Sequence, residues 1–201
     1  MAHLVTELPM LAALLLIALV GKASWRRHRR RQWYGTVVIS DTTAISNLAA
    51  IDRLDILEAM LGDVVIPVAV WRELRQGAGK SARRRRRAIR RSARWIHREP
   101  VWNVVRVWLL QRRNRRLDRG EAEAIILAKE LRARLIIIDE QIGRKAATKA
   151  GLAVTGVLGI ILDAKHAGII THVRPILDAL RDVGFYMSDK LYFQLIAQAR
   201  E

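Results

Sequence analysis

The chain has 201 residues, 51% of them hydrophobic, a formal net charge of +17 and no cysteine. That length and apolar content suit one globular domain with a sizeable core plus a short extension, without repeats or low-complexity domains. Lack of cysteine excludes disulfides and thiolate metal sites, permits a reducing cytosol, and leaves Asp, Glu and His to bind any metal.

The charge is uneven. Lys22–Trp33 carries six Lys and Arg, Lys80–Arg94 carries nine, and neither contains an acid. A nearly neutral body with two basic segments points to an anionic polymer or an anionic membrane surface as partner. Residues 1–33 read as an apolar and Arg-rich extension. Met10–Val20 is an apolar run of eleven residues, well short of the ~20 that span a bilayer as a helix. Arg26, Arg27, Arg29, Arg30 and Arg31 follow it and no Lys or Arg precedes it, the reverse of a secretory signal. Three readings stay open: a membrane-surface or short anchor segment, a docking helix for a partner, or an extension from an upstream start codon. The chain is expected in the cytoplasm, membrane-associated only if the first reading holds.

From residue 34 the pattern becomes that of a domain. Thr36–Ser40 is a β-branched run with strand character, ending in Asp41-Thr42-Thr43. Ala44–Leu48 reads as a short helix, and Leu54, Leu57 and Leu61 mark another, closed by Gly62. Val64–Ile66 is a second strand. Pro67 then opens a helix with Val70, Trp71 and Leu74, and places Glu73 near its inward edge. Alone, Glu73 also reads as a surface acid pairing with basic neighbours. Residues 80–97 suit an Arg-rich helix with a thin apolar line of Ala82, Ile89, Ala93 and Ile96, stopped by Pro100. Its Arg83, Arg84, Arg87, Arg90, Arg91 and Arg94 have the forked guanidinium that suits phosphates. Trp95 and Trp102 beside them read either as base-stacking or as packing residues.

The segment Leu117–Glu140 organises the rest. Ala124, Ile125, Ala128 and Leu131 recur at helical spacing, with Glu121 at the head of the same stripe, so Glu121 is expected to point inward. Leu135–Ile138 is an unbroken apolar run ending in Asp139, as in a strand covered on both faces of a parallel sheet. Glu121 also reads as half of a capping box with Asp118, and Asp139 as a cap for the following helix. Gly143–Ala150 reads as a helix and Ala153–Thr155 as a brief strand. Gly156–Lys165, Pro175–Leu180 and Asp189–Ala199 complete a helical last third. Strands alternating with helices indicate a parallel α/β sandwich.

Asp41, Glu73, Glu121 and Asp139 are each placed by a strand end or a neighbouring helix, and together form a candidate acidic crevice. Clustered carboxylates repel one another unless a divalent cation neutralises them. Mg²⁺ or Mn²⁺ fits as a hard, oxygen-liganded ion, and the chemistry this suggests is metal-assisted phosphodiester hydrolysis. No Ser-His-Asp arrangement, Walker loop or dinucleotide glycine fingerprint competes. A dehalogenase-type site wants Asp-x-Asp after its first strand, and a receiver domain wants an early acidic pair; both are missing.

Four segments in order, VVISDTTAISNL from Val37, IPVAVWREL from Ile66, LDRGEAEAI from Leu117 and LIIIDEQIGRKAA from Leu135, with the later TGVLGIIL, resemble the PIN-domain superfamily. The likeness is strongest to its uncharacterised prokaryotic branch, often encoded in toxin–antitoxin pairs. It covers about residues 36–199 and implies a three-layer α/β sandwich with a central parallel sheet and helices on both faces. It implies Mg²⁺- or Mn²⁺-dependent endoribonuclease activity, with Asp41, Glu73, Glu121 and Asp139 at the acidic positions and Thr43 supporting the first Asp. Asp41, Glu121 and Asp139 would hold the metal. RNA, a cognate antitoxin and a second copy of the chain are the partners to consider. The chain departs from the family in having Glu as its third acid, and in following Asp139 with Glu140 instead of the common Thr-x-Asp setting. The competing class is a PIN-like module that binds nucleic acid or a partner without cleaving.

Because residues 1–33 share no periodicity with the domain after them, a chain beginning near Trp33 is expected to fold and keep any metal-dependent activity. Solubility and cleavage assays on the truncated chain check this; an insoluble or inactive product would mean that the apolar run packs on the domain.

Overall fold

The computed structural model describes residues 35–76, 79–92 and 94–201, so the expectations for residues 1–33 lie outside the described residues. Five short strands form one sheet: β1 (Val38–Ser40), β2 (Val64–Pro67), β3 (Ile96–Glu99), β4 (Leu135–Ile137) and β5 (Val154–Thr155). All are parallel, in the order β3-β2-β1-β4-β5. Ten helices accompany them among the described residues: α1 (Thr42–Ala50), α2 (Asp55–Leu61), α3 (Val68–Arg75), α4 (Gly79–Arg91), α5 (Val104–Arg113), α6 (Arg119–Leu131), α7 (Gln141–Lys149), α8 (Val157–His166), α9 (Arg174–Asp182) and α10 (Asp189–Gln198). None of the described helices is long and apolar enough to cross a membrane.

Successive residues of a strand point to opposite faces, and the core divides accordingly. Val38, Val64, Ile66, Ile96 and Ile137 pack with α1–α4 and α8–α10. Val37, Ile39, Val65, Ile136 and Ile138 pack with α5, α6 and α7. The result is the expected three-layer α/β sandwich. β1 lies in the middle: the chain builds outward from it through β2 to β3, then returns to its other side for β4 and β5. Connections thus leave β1 and β4 in opposite directions, and the crevice beyond their carboxyl ends is where ligands of open α/β sheets sit. Ser40 pairs with Ile137 in register, and the Asp41 N–H donates to the Ile137 carbonyl at 3.1 Å. The residues just beyond these strands, Asp41 and Asp139, therefore emerge side by side.

The expected helix over 80–97 is corrected. α4 ends at Arg91, and Ile96–Glu99 is an edge strand paired with Val64–Pro67. Ser92 turns its hydroxyl back to the Ala88 carbonyl at 3.2 Å, a bond that competes with helix continuation. The run of charge hid a strand because an edge strand tolerates charged side chains: Arg98 is exposed while Ile96 and Glu99 are buried. Trp95 is a core residue at 4% exposure, which removes it as a stacking surface. α5 has no counterpart among the elements expected from the sequence. Its Val107 is buried, whereas Val104, Val105 and Trp108 stand more than half exposed.

α6 is buried almost throughout, from Gly120 to Ala128. It starts at a capping box: Asp118 Oδ1 accepts from the Glu121 N–H at 2.7 Å, and Glu121 Oε2 accepts from the Asp118 N–H at 3.2 Å.

Candidate functional site

The carboxyl edge of the sheet collects four acids from four elements. Asp41 follows β1 and is the N-cap of α1, its Oδ1 accepting from the Ala44 N–H at 3.2 Å. Asp139 follows β4, and its Oδ1 accepts from the Val157 N–H at the start of α8 at 2.8 Å. It does not cap the helix that follows it in sequence; Glu140 is the N-cap of α7, without a side-chain bond. Glu121 comes from the first turn of α6. Glu73, from α3, reaches toward both α1 and α6: one of its oxygens accepts from the Thr42 hydroxyl, and it lies against Gly120. The hydroxyl that meets an acid is thus that of Thr42, one residue before the Thr43 expected from the sequence.

Asp41, Glu121 and Asp139 share one pattern. Each has one oxygen bonded to a backbone N–H, and each has a second oxygen, Asp41 Oδ2, Glu121 Oε1 and Asp139 Oδ2, that is buried without a hydrogen-bond partner. An unsatisfied buried acceptor is costly; three in one crevice mark a place where something electropositive belongs. Burial is the leading cause of the shifts in all four carboxyl groups. It raises Asp41 well above its ordinary range, helped by the charges of Asp139 and Glu121. It raises Glu121 to about 7 and Asp139 to about 6, and Glu73 upward as well. Arg144 opposes the shift at Asp139, its guanidinium donating to the Ile138 carbonyl at 2.9 Å.

These oxygens fit a hard divalent cation. Sulfur is absent from the donor set, and each carboxylate has a free oxygen. Among the described residues no three such side chains close into a finished coordination cage.

Three glycines give the acids their room. A Cβ on Gly120 would lie 2.7 Å from Glu73 Oε2, one on Gly143 would overlap Glu121 Oε1, and one on Gly156 would lie 2.7 Å from Asp139 Oδ1. Sequence reading missed all three, and Arg144 with them; the signal was Gly120 beside Glu121 and Gly143 four residues after Asp139, whereas Gly156 lies too far along the chain to be read with its acid. It also missed Glu123, which is buried and accepts from the Ala69 N–H at 3.3 Å and from Arg119 at 2.9 Å. Glu123 thereby caps α3 from a distance.

The arginines expected to meet phosphate divide. Arg83, Arg84, Arg87 and Arg90 lie on α4, its exposed members facing away from the core. Arg91 faces Asp52 at 3.8 Å and Arg94 pairs with Glu58 at 2.9 Å, so the acids missing locally are supplied by other elements. Arg85 is structural: it donates to the Leu74 and Gln76 carbonyls and to Ser46, fastening α4 to the end of α3. The aromatic within this basic region is Trp71, with the Arg98 guanidinium 4.6 Å from its ring. Trp102 is 53% exposed, away from α4, and its N–H donates to Glu130.

A parallel sheet in this order, with acids at its switch point, agrees with comparison to known sequences: residues 37–201 match the family described as a PIN domain. The chain belongs to the PIN-domain family. No curated protein matches it. PIN domains are commonly nucleases and generally use divalent metal ions, which gives this fold a nuclease type in general terms.

Glu121 and Asp139 have folded-state pKa values above their unfolded ones, so the metal-free fold binds their protons more tightly. That stabilisation is complete below the unfolded values and is lost as pH rises through about 6 and about 7. In chelator, the melting temperature should therefore fall between about pH 5 and about pH 8, and fall less in Asp139→Asn; a flat profile in the wild type would contradict the buried acids. Gly143→Ala should cost about 1–3 kcal/mol by overpacking, because its Cβ would meet Ile138 Cγ2 at 2.7 Å as well as Glu121. Chemical denaturation measures it, and a loss under about 0.5 kcal/mol would show that Glu121 moves aside freely.

Proposed function

We propose that this PIN domain is a Mg²⁺- or Mn²⁺-dependent endoribonuclease that hydrolyses RNA phosphodiester bonds, acting as the toxin of a two-component pair held in check by a cognate antitoxin. The observation that carries the reading is the set of three buried carboxylate oxygens without partners at the switch point of the sheet. Asp41, Glu121 and Asp139 would hold the cation through those oxygens. When bound, the ion supplies Lewis-acid stabilisation of the charge that develops on the phosphate.

The protein's own groups do the rest. Each ligand carboxylate is aimed by its bonded oxygen: Asp41 by Ala44, Glu121 by Asp118, Asp139 by Val157. Glu73 orients the attacking water and accepts a proton from it, a task helped by the burial that raises its pKa above the ordinary carboxylate value. Thr42 fixes its other oxygen. Arg144 limits the repulsion at Asp139. The exposed arginines of α4 attract the polyanion.

A second reading has its own support. Every one of the three ligand acids already serves as a cap, so a non-catalytic binding module would retain them for stability. One experiment separates the two. The wild type should cleave labelled RNA only with Mg²⁺ or Mn²⁺, and Asp139→Asn should not cleave. Asn keeps an Oδ1 acceptor for the Val157 N–H, so the metal-free variant should be as stable as the wild type or more so, whereas loss of an ordinary cap costs about 1 kcal/mol. Metal should raise the wild-type melting temperature and raise that of the variant less. Absence of both cleavage and a metal effect on melting would leave the binding module as the answer.

A further inference from the structure

We infer that the end of α5 and the turn into α6, with Trp108, Arg112, Arg113, Arg115 and Arg116, form a binding surface for single-stranded RNA on the Glu121 side of the acidic crevice. This rests on the nuclease reading and names where and in what form the substrate approaches. The stretch from Arg112 to Arg119 contains five arginines and one acid. That acid, Asp118, is occupied by the capping box, and Arg119 is paired with Glu123 at 2.9 Å. Arg112, Arg113, Arg115 and Arg116 are exposed, and no acid among the described residues forms an ion pair with them.

Their position relative to the site follows from chain length. Consecutive Cα atoms are about 3.8 Å apart, so Arg116 lies within about 7–8 Å of Asp118. The Asp118 N–H is the one bonded to Glu121 Oε2 at 3.2 Å. A phosphate held at the acids is therefore within reach of a long Arg side chain from this turn. α4 adjoins the crevice from the other side: Arg85 ties it to Leu74 and Gln76, next to Glu73, and Glu73 in turn rests on Gly120 of α6. The acids thus have a basic surface at each flank. A polyanion approaching bare carboxylates is repelled, and positive charge on both sides offsets that repulsion along the whole approach.

Trp108 adds the preference for a single strand. It is 55% exposed, with the Arg112 guanidinium 5.1 Å from its ring centroid. An open aromatic face beside arginines is the arrangement on which unpaired bases stack while their phosphates meet guanidinium groups. A base stacked inside a duplex offers no free face. The apolar neighbours Val104 and Val105 make a protein or lipid partner the rival occupant of α5, which is the outcome if the variants below bind RNA like their parent.

The test uses the full chain carrying Asp139→Asn, so that RNA is not consumed, and a fluorescein-labelled single-stranded RNA of mixed sequence in Mg²⁺. Replacing Arg113, Arg115 and Arg116 together by Gln should weaken binding and lower the slope of log affinity against log salt by about 0.7 per lost contact, about 2 in all. Trp108→Ala should weaken single-strand binding by about fivefold or more, with Trp108→Phe retaining most of it. Neither Trp108 variant should alter binding of the same sequence as a duplex. In the otherwise wild-type chain the same Arg and Trp108→Ala replacements should raise KM and leave kcat in place, as for groups that bind substrate without entering the chemistry. Unchanged affinity and salt slope, in variants that melt like their parent, would overturn the inference while wild-type cleavage left the nuclease reading standing. A wild type that neither binds nor cleaves RNA would overturn both.

Discussion

Burying carboxylates at the edge of a sheet is the constraint on which the rest of this structure depends. One oxygen each of Asp41, Glu121 and Asp139 is shut away from water and a second must find a donor inside the protein, which in each case is a backbone N–H at the start of a helix. Those N–H groups are unpaired within their own helices and carry the positive end of the helix dipole. Three helix starts are therefore drawn to one place. The all-parallel sheet makes this economical in chain length, because every strand ends at the same edge and hands over to a helix there.

Much of this was legible in the sequence. The β-branched runs marked the strands, the alternation with helical stripes marked the layers, and acids stood directly after two strands. What could not be read was whatever depends on residues distant in sequence. Ile96–Glu99 is a strand because Val64–Pro67 lies next to it; its own composition resembles the Arg-rich helix before it. α5 shows only a narrow buried edge around Val107, too little apolar periodicity to announce a helix. Glu123 sits two residues after Glu121 and reads like a surface acid, yet it serves the start of α3, 54 positions away.

The site itself was legible as four acids, and its arrangement was not. Capping and ligand roles looked like rival explanations for Glu121 and Asp139, because a sequence assigns one role to one residue. In the structure the roles belong to different oxygens of the same carboxyl group. Glu121 Oε2 completes the capping box while Oε1 is left without a partner. The cap of Asp139 serves α8 rather than α7, which spacing along the chain does not reveal. The bland role is thus the device that aims the chemical one.

The glycines beside the acids carry a different kind of information. An acid that caps a helix has a structural reason to be there, whereas Gly120 and Gly143 lie in the first turns of α6 and α7 with negative φ, where the backbone itself does not require Gly. The space of the missing methyl group is taken, at Gly120 by the Glu73 carboxylate and at Gly143 by Glu121 together with the Ile138 side chain. Loss of activity alone would not release these glycines, because the clash at each lasts as long as the acid facing it keeps its place. Each hydrogen atom at 120 and 143 and the carboxylate it faces thus form one unit, to be kept or replaced together.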